Sequence, residues 1–115
     1  MSPATGRLLH SATIVLCLPV AAMGALMSAN EYAAFDPAMA SVVDCDGPIG
    51  VFMFAIPALI FYAGSAVRLF WTRARAPRWH IGMALLCSIV SVAVLPNTVR
   101  AFAADEQNRS EPACN

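Results

Sequence analysis

The stretch RLFWTRARAPRW, residues 68–79, decides the architecture of this chain, because it gathers four of the seven basic residues between two apolar runs. Three runs in the chain carry no Asp, Glu, Lys or Arg: residues 8–30, 47–67 and 79–99. A helix that rises ~1.5 Å per residue crosses a hydrocarbon core ~30 Å thick in about 20 residues. Each run reaches that length, so we predict an all-α integral membrane protein with three transmembrane helices.

The composition agrees with a membrane protein. The chain is 59% hydrophobic and 12% charged, whereas roughly 25% of the residues in soluble domains are charged. We predict a single membrane domain over residues 1–115, folded as an antiparallel three-helix bundle. The spans are expected at about residues 8–29, 48–71 and 79–102, with an outer loop at 30–47, a cytoplasmic loop at 72–78 and an outer tail at 103–115. We expect the polar residues 105–115 of this tail to be mobile.

The arginine cluster also predicts the orientation. Arginine in a short loop favours the cytoplasmic side, and tryptophan favours the headgroup level. Five of the seven arginines then lie inside, whereas the loop at 30–47 carries acidic residues and no base. We therefore predict N-in/C-out, and the absence of lysine is typical of a bacterial, GC-rich gene, which suggests the inner membrane. The residues assigned to the headgroup layer are Arg68, Trp71, Arg73, Arg75, Arg78 and Trp79.

The outer loop has two interpretations. Asp36 followed by Pro37 matches an N-cap residue and a proline at the first helical position. This pattern predicts a short amphipathic helix over residues 38–43, lying on the membrane surface. An irregular loop with a few apolar side chains is the alternative.

The first span has an alternative interpretation as a cleaved signal peptide. Arg7 provides a basic start, and residues 27–29 offer small side chains for cleavage. The apolar region of about 21 residues, however, exceeds the ~7–15 residues of a typical signal peptide. We favour a retained span.

The four cysteines divide by position. Cys17 and Cys87 fall inside spans, where we expect small buried hydrophobic side chains. Cys45 and Cys114 fall on the predicted outer side, and in an oxidising periplasm they become a candidate disulfide, with two free thiols as the alternative. No Cys-x-x-Cys pair occurs, so the spacing does not indicate a zinc or thioredoxin-like site.

His10 and His80 share a depth near the cytoplasmic ends of their spans. Histidines on two helices can hold haem or a metal ion, but neither has a neighbouring Cys, Asp or Glu in its span that would complete a ligand set. We expect interfacial histidines and no cofactor. The residues 44–47 resemble a fragment of a calcium loop, yet the later ligands and the bidentate glutamate are missing.

Each span contains one proline: Pro19, Pro57 and Pro96. Proline removes a helical hydrogen bond and kinks the helix, and transporters use such kinks around binding sites. Here no intramembrane carboxylate accompanies them, so we expect structural kinks. Asn97 and Thr98 either bond across helices or mark the outer boundary, and we favour the boundary.

Small residues recur within the first two spans. Packing in lipid relies on close helix approach, which small side chains permit. Such faces either pack the three helices together or dock onto a partner. The candidate packing residues are Ala21, Gly24, Ala25, Ser28 and Gly64.

The sequence shows no catalytic set, cofactor loop or nucleic-acid motif. We therefore expect a protein that is not an enzyme, with the lipid bilayer and other membrane subunits as its partners, and with neither nucleic acid nor a small-molecule substrate. The favoured function is an accessory or assembly subunit of a larger membrane complex. The alternatives are an immunity or exclusion protein against a toxin or phage, and a homo-oligomeric channel or transporter.

Overall fold

A computed structural model describes residues 3–72 and 78–114, and all regular structure within them is helical. Three segments are long and apolar enough to cross a membrane: Ala4–Leu26, Gly47–Thr72 and Trp79–Ser110. The chain is therefore a multi-pass membrane protein. The helices are α1 (Pro3–Leu16), α2 (Leu18–Leu26), α3 (Glu31–Phe35), α4 (Gly47–Thr72) and α5 (Trp79–Ser110), with single 3₁₀ turns at Pro37–Met39 and Pro112–Cys114.

Side-chain size divides the interior from the surface. The buried positions of α4 and α5 are mostly small, as at Ala55, Ala84 and Ala101, each at most 1% exposed. Large apolar residues point outward instead, with Ile60 71% and Val92 69% exposed. This arrangement is the one expected in lipid, where helices gain from close backbone approach and large side chains face the acyl chains. α4 packs mainly against α5, and α2 packs against both.

The first span is two helices rather than the single helix predicted over residues 8–29. α1 begins at Pro3, the helix is interrupted at Cys17, and α2 ends at Leu26. Pro19 explains the interruption, because it has no N–H to donate to the carbonyl four residues earlier. Pro57 and Pro96, by contrast, lie inside continuous helices.

The prediction of a mobile tail over residues 105–115 is wrong for residues 105–110, which are helical. α5 continues to Ser110, two turns beyond the predicted end of the span. The added turns carry an Arg109–Asp105 ion pair of 2.9 Å at the i,i+4 spacing that supports helices. A disulfide also links this segment to the loop before α4, as described below.

The loop between the first two spans is ordered differently from either interpretation. Asp36 does cap a turn, accepting a hydrogen bond from the Ala38 N–H, but the turn is a 3₁₀ helix of three residues. The α-helix in this loop is α3, which was not predicted and which Asn30 caps by accepting from the Ala33 N–H. The second span begins at Gly47, one residue before the predicted start.

Candidate functional site

The helices bring the polar residues together at two opposite ends of the molecule. We call residues 27–46 and 103–114 the disulfide end. We call the opposite end, where α1 and α5 begin and α4 finishes, the arginine end; it carries Arg7, His10, Arg68, Arg78 and His80. The loop arginines Arg73 and Arg75, which the sequence assigns to the headgroup layer, lie outside the described residues.

Asp44 organises the disulfide end. Its carboxylate accepts hydrogen bonds from the Glu31 N–H (2.7 Å) and the Gly47 N–H (3.0 Å), at the N-termini of α3 and α4. An anionic side chain is favourable at both positions, because helix N-termini expose unsatisfied N–H groups. Asp44 is only 7% exposed, so these bonds also satisfy a buried charge.

The C-terminal segment is attached to the same loop by two links. Cys45 and Cys114 form a disulfide with a Cα–Cα distance of 5.5 Å across a sequence separation of 69, as the sequence predicts. Six residues before Cys114, the Asn108 amide donates to the Asp44 carbonyl (2.7 Å). The loop, the start of α4 and the end of α5 therefore form one connected surface.

Two polar side chains donate hydrogen bonds to backbone carbonyls of the interrupted first span. The Tyr62 hydroxyl donates to the Ile14 carbonyl (2.7 Å), in the last turn of α1, where carbonyls lack helical partners. The Asn97 amide donates to the Gly24 and Met27 carbonyls (2.9 and 2.8 Å), at the end of α2. The interpretation of Asn97 as a boundary residue is thus wrong, because it bonds across helices. Thr98 bonds within its own helix, to the Val94 carbonyl.

The small residues of the first span lie at a close helix crossing. A Cβ atom on Gly24 would lie 2.7 Å from the Ala55 Cα, so the two backbones are nearly in contact. Ala21 is also buried there, whereas Ala25 and Ser28 are partly buried. Gly64 behaves differently. It is exposed on α4, and a Cβ there would meet no atom within 4 Å.

The arginine end is built from aromatic and basic side chains. His10 packs against Phe61 (centroids 6.4 Å apart), and Trp79 meets the His80 ring edge-on (4.4 Å). His80 is 5% exposed, so its imidazole is buried within the protein at the start of α5. Trp71 is 86% exposed at the end of α4, as a headgroup-level side chain would be.

The acidic residues are confined to one end of the molecule. All seven acidic residues of the sequence belong to the disulfide end, within residues 31–46 and 105–111. A recess of ≈ 260 Å³ there is lined by Glu31, Asp46, Gly47, Ile49 and Gly50. Within residues 3–72 and 78–114, no three His, Cys, Asp or Glu side chains are grouped as metal ligands. The two free cysteines are Cys17, partly buried, and Cys87, fully buried.

Sequence reasoning missed the contacts of Asp44, Tyr62 and Asn108, which join segments 13 to 64 residues apart. Asp44 had a signal, because Asp three residues before Gly47 matches the spacing of a side chain that caps a helix. Tyr62 and Asn108 had none, because their acceptors lie 48 and 64 residues away in sequence.

No protein-family model, curated protein or solved structure matches this chain. The function is therefore inferred from the contacts and the exposure of the described residues.

Proposed function

We propose that this protein is a non-catalytic accessory or assembly subunit of a larger complex in the bacterial inner membrane. The observation that carries the proposal is the surface around Gly64. An exposed glycine contributes no side chain to lipid and costs helix stability of about 1 kcal/mol relative to alanine. Its benefit in a membrane is that another helix can approach closely.

The polar groups of the spans support a non-catalytic role. Tyr62 and Asn97 donate to backbone carbonyls of the first span, and the Ser88, Ser91 and Thr98 hydroxyls donate to carbonyls one turn back in α5. These side chains are thus paired with backbone carbonyls. Such pairing is required in lipid, because no water is present to bind polar groups. The arrangement suits a scaffold for a partner helix.

The proposed orientation places the arginine end in the cytoplasm and the disulfide end in the periplasm. It is supported by the arginine bias of the short loop and by the disulfide, which persists in oxidising compartments. Single-cysteine labelling tests it in a background that lacks the native cysteines. A membrane-impermeant probe should modify Ala40→Cys and Ala113→Cys but not Ala74→Cys; labelling of Ala74→Cys alone reverses the orientation.

The partner is tested by affinity purification in mild detergent. Gly64→Leu should remove a stoichiometric membrane partner that the wild-type protein retains. Val92→Leu is the matched control, because Val92 is 69% exposed on α5 and already presents a large side chain to the lipid. Retention of the partner by Gly64→Leu contradicts the docking face, and a homo-oligomer alone favours the channel or transporter alternative.

A second candidate is an immunity or exclusion protein that acts through the disulfide end. The specific observation is Phe35, 90% exposed on a loop that the disulfide and Asp44 hold in place. An exposed aromatic side chain on a rigid support is typical of binding surfaces. Purification of a soluble toxin, lost on Phe35→Ser but kept by Gly64→Leu, would favour this function over the first.

A further inference from the structure

The arginine end contains buried polar atoms that the described residues do not satisfy. The Nε2 atom of His10 and both ring nitrogens of His80 are buried and have no hydrogen-bond partner among residues 3–72 and 78–114. The nearest aromatic rings, Phe61 and Trp79, pack against these imidazoles without an acceptor that could serve them. Because an unpaired buried polar group is costly, an external group is expected to pair with these nitrogens.

The charge of that group follows from its surroundings. Arg68 and His80 both act electrostatically on His10, and Arg78 immediately precedes α5. No acidic residue occurs in residues 1–30 or 47–104, which include the whole arginine end. A cation would meet arginine without a carboxylate, whereas an anion would meet arginine and imidazole N–H donors.

The depth of the site selects the kind of anion. His80 is the second residue of α5 and directly follows Trp79, whose indole favours the headgroup level. Phospholipid phosphates lie at this level, and guanidinium groups bind phosphate oxygens in a matching planar geometry. Basic pockets between transmembrane helices are known sites for anionic headgroups.

The packing of α1 leaves access from the lipid. Ile14 is the one fully buried residue among positions 4–16, so α1 is held loosely against its neighbours along the turns near His10. Trp79, which lies over His80, is itself 42% exposed. The indole beside the His80 ring therefore reaches the protein surface.

We infer that His10, His80 and Arg68 bind the phosphate of an anionic phospholipid between α1 and α5. The inferred site specifies one contact between the proposed subunit and the bilayer. The orientation proposed above is needed only to place this lipid in the cytoplasmic leaflet. The binding measurement below is made in detergent, where orientation has no role. A wrong orientation would show in the cysteine labelling and leave this binding unchanged.

The direct test is native mass spectrometry of the purified full chain, delipidated in dodecyl maltoside. Phosphatidylglycerol should bind at one saturable site, and diacylglycerol with the same acyl chains should not. Inorganic phosphate added in excess should fail to displace the lipid. Equal binding of the two lipids overturns the proposal, and displacement by inorganic phosphate assigns the site to a free anion instead.

Variants identify the residues that hold the phosphate. His80→Phe and Arg68→Gln should each weaken phosphatidylglycerol binding about tenfold or more, as loss of a hydrogen bond to a charged group predicts. His80→Asn retains a donor and should recover part of the affinity. Arg100→Gln, which removes another exposed arginine about 20 residues along α5 from His80, should bind as the wild type does.

Folding of each variant is checked by the Cys45–Cys114 disulfide, which forms only when the two distant segments meet. A folded His80→Phe variant that keeps wild-type affinity overturns the inference. So does a loss in Arg100→Gln as large as that in Arg68→Gln, because it would show a response to net charge alone.

Discussion

The two ends of the molecule hold their chain segments in opposite ways. At the disulfide end, a covalent bond and an asparagine amide join segments that are 69 and 64 residues apart, and a buried carboxylate links the starts of α3 and α4. At the arginine end, α1 is loosely packed, and the Nε2 atom of His10 and both ring nitrogens of His80 lack partners within the described residues. The disulfide end is therefore stabilised by its own contacts, whereas the arginine end depends on groups outside the protein.

The physical environment accounts for this difference. A segment outside the bilayer loses the restraint that the lipid imposes on helices, so it needs its own links to stay ordered. A segment at the headgroup layer is surrounded by charged groups that serve as external partners. The same polar residues that would be defects inside a soluble domain are therefore compatible with function here.

The largest expected effect follows removal of the disulfide. Closing a loop of this length contributes about 4 kcal/mol in the chain-entropy model, an upper figure because the membrane already restrains the spans. In Cys45→Ser/Cys114→Ser, amide hydrogen exchange should rise across residues 103–114 and in the loop before α4. The spans and the arginine end should keep their protection. Equal loss at both ends would remove the distinction between them.

Asp44→Ala should have the next largest effect. It leaves the N–H groups of Glu31 and Gly47 without their acceptor, so we expect a loss of about 2 kcal/mol or more in the free energy of unfolding. The measurement is unfolding by sodium dodecyl sulfate in mixed micelles. Asp36→Ala is the matched control, an exposed cap of a single turn that should cost about 1 kcal/mol or less. Similar losses in the two variants would show that Asp44 does not organise this end.

Substitutions at Gly24 and Gly64 compare the helix packing in the two halves of the membrane region. Gly24→Ala places a Cβ 2.7 Å from the Ala55 backbone, which cannot yield without separating α2 from α4. We expect a loss of about 1–3 kcal/mol in the same unfolding measurement. Gly64→Ala meets open space and should be neutral or stabilising by up to about 1 kcal/mol. A comparable loss from both substitutions would mean that the surface around Gly64 is already packed in the isolated chain.

The smallest effect is expected at the arginine end. In delipidated protein, His80→Phe removes two unpartnered nitrogens and keeps an aromatic ring, so the free energy of unfolding should change by less than about 1 kcal/mol. Addition of phosphatidylglycerol should stabilise the wild type more than the variant. A large loss without lipid would show that His80 has a structural partner within the protein.

The sequence alone determined the elements that depend on local composition. Three charge-free runs predict three apolar helices, because the hydrocarbon core admits few charges and requires about 20 residues. The α4 boundaries, Gly47–Thr72, differ from the predicted 48–71 by one residue at each end. The pairing of Cys45 with Cys114 also followed from the sequence, because each was the only cysteine in its outer segment.

Only the tertiary structure decided the contacts between distant segments. Nothing local distinguishes Asn97 as a cross-helix donor, because its acceptors at Gly24 and Met27 become available only where α2 ends beside α5. The helical tail to Ser110 likewise depends on the disulfide and on Asn108 binding the Asp44 carbonyl. Hydrophobicity is a property of each run and can be read in sequence, whereas the pairing of buried polar groups depends on which segments the fold brings together.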